Sequence, residues 1–229
     1  MTKFPDVFGT TQEYRNKVLK KGYIDIQKIR PKDVVDVEDD RQWLPDFTQV
    51  FAIINITGTQ SDYDSILLMA NQRLVKCRLS PNQLVKRLDR QFLLHPKNDV
   101  GNVAKSIGIT RHVPYCCGDF LLVPVGSKAA SNNSWVRLST GGELWEHDGK
   151  KSLVNYPTTG VLRIPHGKGA IAGRRSKCFQ ILAYYFYVAL AILTTIELDL
   201  GEISVKKLRK ISQGKDDHFR EGILRELLE

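Results

Sequence analysis

The sequence predicts an α+β fold, an antiparallel sheet with a few packed helices, and three observations predict it. Residues 49–79 carry VFAIINIT, SILLMA and RLVKCRL, dense in the aliphatic and β-branched side chains that suit strands. Ser80-Pro81-Asn82-Gln83 then spells a helix start. Residues 178–193, CFQILAYYFYVALAIL, form an apolar run of helical length. With 229 residues, 42% of them hydrophobic and 26% charged, the chain can bury a core of its own, and no low-complexity run argues for disorder.

In chain order, residues 1–45 show little periodicity and contain the acidic run Val34-Val35-Asp36-Val37-Glu38-Asp39-Asp40, so they read as an N-terminal arm or extension. Residues 46–196 read as the α+β core. A strand at the start of 49–79 precedes a hairpin that turns at Asn71. In the helix that follows, Ser80 is the N-cap, Pro81 takes the first helical position and Gln83 closes a capping box. Leu84, Val85, Leu88 and Phe92 share one side of it, with Lys86, Arg87 and Arg90 opposite.

A second short helix is expected over 100–107, stopped by Gly108, after which Arg111-His112-Val113-Pro114 breaks regularity. Residues 119–124 read as a strand ending at Pro124, and 126–133 as a polar loop in which Lys128 can reach a phosphate. Strands are expected at 134–138, with Arg137, and at 160–165, joined by a glycine-containing excursion within one antiparallel sheet. HGKGAIAGRRSK, residues 166–177, reads as a basic loop feeding the apolar helix, which is expected to lie buried in the core. Residues 197–229 form a helical tail whose end, 215–229, carries Phe219, Ile223, Leu224, Leu227 and Leu228 on one stripe of an amphipathic helix.

Charge is distributed unevenly. Residues 65–178 hold 18 basic and 6 acidic side chains, net +12, whereas 1–64 carry net −2 and 179–229 net −1. Such a segment repels itself unless a polyanion offsets it, and neutralising phosphates with release of counterions does so. The expected partner is nucleic acid, with a membrane surface or a merely solvated basic face as the alternatives.

Convergent chemistry is sparse. His95, His112, His147, His166 and His218 stand apart from ligand-spaced neighbours; His112 with Cys116 and Cys117 lacks a fourth ligand. No metal or cofactor is expected. No Cys-x-x-Cys pair occurs, so Cys77, Cys116, Cys117 and Cys178 read as reduced thiols, and the N-terminal text lacks the features of a secretory signal, which points to the cytoplasm. Gly167 to Gly173 departs from the GxxxxGK[ST] phosphate loop; its glycines read as letting a basic backbone approach DNA, or as a plain surface loop. Arg174, Arg175 and Lys177 then stand at the N-terminal end of the apolar helix, where free N–H groups favour phosphate.

From residue 79 to about 160 the order of landmarks resembles the ComK family of competence transcription factors. The matching text is SPNQLVKRL, the segment from Gly101 to Gly108, Arg111-His112-Val113-Pro114, FLLVPVGS ending at Ser127, the polar loop and Trp135-Val136. Pro124, Ser127 and Trp135 are the most specific points, and Val125 stands where the family has threonine. The resemblance implies a DNA-binding activator of DNA-uptake genes that recognises A/T-rich boxes through the minor groove, bends the duplex and works as a homo-oligomer. It further implies a proteolytic adaptor as partner, for which the C-terminal text holds no matching motif.

Arg and Lys are drawn to a narrow minor groove. Arg111, Lys128, Arg174 and Arg175 therefore lead the expected DNA contacts, with Lys86, Arg87, Arg90, Arg137, Lys168 and Lys177 beside them. Two other classes stay open: a membrane-attached protein spanning at 178–196, and a nucleic-acid-processing enzyme using metal-binding carboxylates among Asp89, Asp99, Asp119, Glu143, Glu146 and Asp148.

Overall fold

A computed structural model of the chain describes residues 7–91, 100–126, 133–138, 143–156 and 159–195. The fold is α+β, with helices α1 (Gln12–Lys21), α2 (Pro81–Gln91), α3 (Val100–Ser106) and α4 (Lys168–Thr195). Its strands are β1 (Ile24–Asp25), β2 (Val37–Glu38), β3 (Val50–Asn55), β4 (Ser65–Met69), β5 (Leu74–Cys77), β6 (Tyr115–Cys117), β7 (Phe120–Pro124), β8 (Trp135–Arg137), β9 (Glu143–Glu146), β10 (Ser152–Tyr156) and β11 (Gly160–Ile164).

The strands divide into two sheets. Seven lie in the order β2-β5-β4-β3-β8-β7-β6, and four in the order β1-β11-β10-β9. All neighbours are antiparallel except β1 on β11 and β2 on β5, which are parallel. The strands expected at 134–138 and 160–165 therefore do not share one sheet, because the excursion between them is itself β9 and β10 and carries the chain into the smaller sheet.

Burial follows the sequence pattern. Ala52, Ile53 and Ile54 of β3 and Ile66, Leu67 and Leu68 of β4 are wholly buried, so these continuous apolar runs are covered on both faces. SLVNY and GVLRI instead alternate, burying Ser152, Val154 and Tyr156, and Gly160, Leu162 and Ile164, as strands with one face inward do. Tyr156 pins the sheets together: its hydroxyl donates to the Arg137 carbonyl at 2.6 Å, and its ring meets Phe51 edge-on at 4.7 Å.

Residues 7–45, expected as an arm, supply α1, one parallel edge strand to each sheet and core side chains including Tyr14, Val18, Ile24 and Val34. The acidic run within them pairs with the β5 region: Arg73 with Asp36, and Arg78 with Asp39 at 3.0 Å. The start expected for α2 and the stop expected for α3 are present, while the end expected for α2 near residue 94 lies outside the described residues. The Ser80 N–H donates to Gln83 Oε1 at 2.9 Å and the Gln83 N–H to Ser80 Oγ at 3.3 Å, while Gly108 takes φ of +81° beyond α3.

Helix α4 begins ten residues before the apolar run. Its seam of Ile171, Arg174, Cys178 and Ile181 is buried against β6 and β7, and its other side chains as far as Tyr187 are half-buried or exposed. No helix among the described residues is long and apolar enough to cross a membrane. The polar loop with Lys128, the side chain of Arg90 and the tail at 197–229, where an amphipathic helix is expected, lie outside the described residues.

Candidate nucleic-acid interface

Residues 168–177 are helical, which corrects the basic loop expected there. Glycine weakens a helix, but tertiary packing of an apolar seam decides most helical stability, and Ile171, Cys178 and Ile181 supply it. A Cβ at Gly169 or Gly173 would meet nothing within 4 Å, so neither glycine serves a close approach inside the molecule. Lys168, Ala172 and Arg175 stand on the exposed side at helical spacing, and by the helical rise Lys168 and Arg175 are about 10 Å apart along the axis.

Two expected DNA contacts are internal braces. Arg174 is 6% exposed; its guanidinium donates to the Pro124 carbonyl at the end of β7 and lies 3.3 Å from His166 Nε2. Arg137 is 9% exposed, donates to the Thr48 carbonyl at 2.5 Å, and lies over the rings of Phe120 and Phe51 at 5.0 and 5.6 Å. Burial lowers the proton affinity of both guanidiniums. Each donates to a backbone carbonyl distant in sequence, Arg174 to one at the end of β7 and Arg137 to one in the turn before β3, so these arginines hold the fold rather than face a groove.

The remaining described candidates stand nearer the surface. Lys86, Arg111, Lys168 and Arg175 are exposed, with Arg175 lying 5.6 Å from the Phe179 ring centre. Lys177 is half-buried and donates to the Arg111 carbonyl at 2.5 Å, tying α4 to the bend where His112 takes φ of +49°. Arg87 donates to the carbonyls of Trp43 and Arg41 at 2.9 and 2.8 Å and so anchors the segment before β3. A cleft of about 250 Å3 lies between Val85, Lys86, Val100, Val113 and Pro114, which sets Lys86 near the Arg111 bend. Lys105, exposed on α3, was not singled out by sequence; α3 packs on α4, and only that contact draws it toward the group.

Carboxylates answer part of the basic segment. Arg73, Arg78, Lys151 and Arg163 make ion pairs, and Arg163 has two partners, Asp25 at 2.6 Å and Asp148 at 3.7 Å. Among the described residues, no carboxylate lies within 4.0 Å of Lys86, Arg111, Lys168, Arg175 or Lys177. These five cations form the candidate interface.

Other chemistry is limited. All four cysteines are free, with Cys77, Cys116 and Cys178 buried. Burial pushes the Cys77 thiol up to about 11, and the neighbouring Cys178 together with burial holds Cys116 protonated. Among the described residues no group of three or more histidine, cysteine or carboxylate side chains is placed to hold a metal ion.

His166 donates from Nε2 to the Gly126 carbonyl at 3.0 Å, and burial, followed by the Arg174 charge, holds its pKa below the usual 6.5. On acidification the unfolded chain therefore takes up this proton first. The stability so contributed is complete above pH 6.5 and is lost as pH falls through that value toward the lower folded pKa. Urea midpoints at about pH 7.5 and about pH 5.5 are expected to fall less for His166→Asn than for the parent chain, and equal falls remove His166 as a source.

Fold and site together define an α+β protein built on two largely antiparallel sheets, with exposed cations along one helix and its neighbours. No family model matches the chain, and no curated protein or solved structure is similar to it at a significant level.

Proposed function

We propose that this chain is a cytoplasmic DNA-binding transcription activator of the competence type, acting without catalysis and as a homo-oligomer on A/T-rich duplex boxes. One observation carries the reading: Lys86, Arg111, Lys168, Arg175 and Lys177 have no local carboxylate among the described residues, while other cations of the same segment do. Uncompensated cations on exposed elements are what a phosphate backbone neutralises. Of the landmarks behind the ComK resemblance, Pro124 and Trp135 are partners across β7 and β8. Ser127 lies outside the described residues.

Fluorescence anisotropy with labelled A/T-rich and G/C-rich duplexes tests the reading. Five phosphate contacts give a slope of about −4.5 in log affinity against log salt, and the A/T-rich duplex is expected to bind more tightly. A slope flatter than about −1, or no binding at low salt, removes phosphate neutralisation as the basis of function.

A further inference from the structure

A cavity of about 360 Å3 lies on other elements, between α1 and the turn after β1. Its size falls in the range that holds small ligands. Four cations line it: Lys17, Lys21, Lys28 and Arg30. Lys17 and Lys21 stand one helical turn apart on the same side of α1, and Gly22, with φ of +75°, turns the chain so that Lys28 and Arg30 come back to the same concavity. Like charges at that spacing oppose helix formation, so the arrangement gains from an anion between them.

The nearby carboxylates are already engaged. Asp25, which lines the wall, accepts from Arg163 at 2.6 Å and from the Gln27 N–H at 3.1 Å. Asp33, near Tyr14, accepts the Arg30 backbone N–H at 2.8 Å. Among the described residues no carboxylate comes within 4.0 Å of the four cations. The rest of the wall is apolar: Tyr14, Val18 and Tyr23, the last held by Arg163 at 5.6 Å from its ring and by His147 edge-on at 5.5 Å.

We propose that this cavity binds a nucleoside polyphosphate. The phosphates lie among Lys17, Lys21, Lys28 and Arg30, and the ring system packs on Tyr14, Val18 and Tyr23. Several adjacent cations favour more than one phosphate, and the apolar wall favours a flat group joined to them. A duplex backbone is the other source of phosphate, but a half-open hollow of this size with an apolar wall suits a small molecule carrying a ring better than a strand.

Calorimetric titration of the full chain with ATP, tripolyphosphate and adenosine tests this. One ATP per chain is expected, bound about tenfold more tightly than tripolyphosphate, with adenosine alone undetected. Lys21→Glu with Lys28→Glu is expected to weaken ATP at least about tenfold, whereas Lys168→Glu with Arg175→Glu leaves it unchanged. If the charge reversal unfolds the chain by circular dichroism, Lys21→Gln with Lys28→Gln provides the same reading.

Absence of saturable ATP binding, equal affinity for ATP and tripolyphosphate, or equal loss in the α4 variant overturns the proposal. So does complete displacement of ATP by duplex, which would assign the cavity to a polynucleotide surface. Because the titrations with ATP, tripolyphosphate and adenosine contain no DNA, their failure leaves the DNA-binding reading standing, and absence of duplex binding in the anisotropy measurements leaves this one standing.

Discussion

Asp25→Ala is expected to lower the unfolding free energy by about 3 kcal/mol, read from the urea midpoint, because it strands a buried guanidinium. Asp25 is 6% exposed and its partner Arg163 only 12% exposed by side chain. The carboxylate accepts from Arg163 on one oxygen and from the Gln27 N–H on the other, so both losses act together. Asp148, 3.7 Å from Arg163 and itself far more exposed, softens the effect without replacing the inner partner. Removing both charges, as Asp25→Leu with Arg163→Met, is expected to recover part of the loss, as apolar replacement of buried pairs does. A single-variant loss below about 1 kcal/mol would show the pair to be solvated in the folded chain.

Lys168→Ala with Arg175→Ala is expected to weaken duplex binding about 10- to 100-fold at low salt and to make the salt slope shallower by about 2, one phosphate for each cation. Both side chains are exposed, so the urea midpoint is expected to stay within the range usual for surface changes. Arg174→Ala is the contrast. It removes the donor to the Pro124 carbonyl from a buried site, so stability falls while the slope among still-folded molecules holds. An unchanged slope in the double variant would take α4 out of the interface.

These two arginines of α4, adjacent in sequence and opposite in role, show where the sequence stops being legible. Helix ends at Ser80, Gln83 and Gly108 were readable because their partners lie within a few residues. Whether a cation is buried depends instead on carbonyls supplied from afar: Pro124 is 50 positions from Arg174, and Thr48 is 89 from Arg137. The net charge of 65–178 was visible, but not its division between ion pairs, strand braces and exposed groups, since the neutralising Asp25, Asp36 and Asp39 come from another part of the chain.

The β9–β10 hairpin lacked a strong apolar signal because β9 is mostly exposed, with Trp145 among its exposed residues; Asp148-Gly149, with φ of +70° at the glycine, was its one local mark. Helix α1 did carry local marks, Thr11 as N-cap and Gly22 beyond its end. The acidic text downstream outweighs them in a linear reading, although Asp36 and Asp39 within it prove to be partners of Arg73 and Arg78, on either side of β5.

The parallel pairing of Ile24 with Leu162 also governs the order in which a nascent chain can close. β1 finds its neighbour only after Ile164 has cleared the ribosome, with 138 positions between Asp25 and Arg163, so the smaller sheet closes through a contact of high sequence separation. Until then Asp25 has no Arg163 to meet.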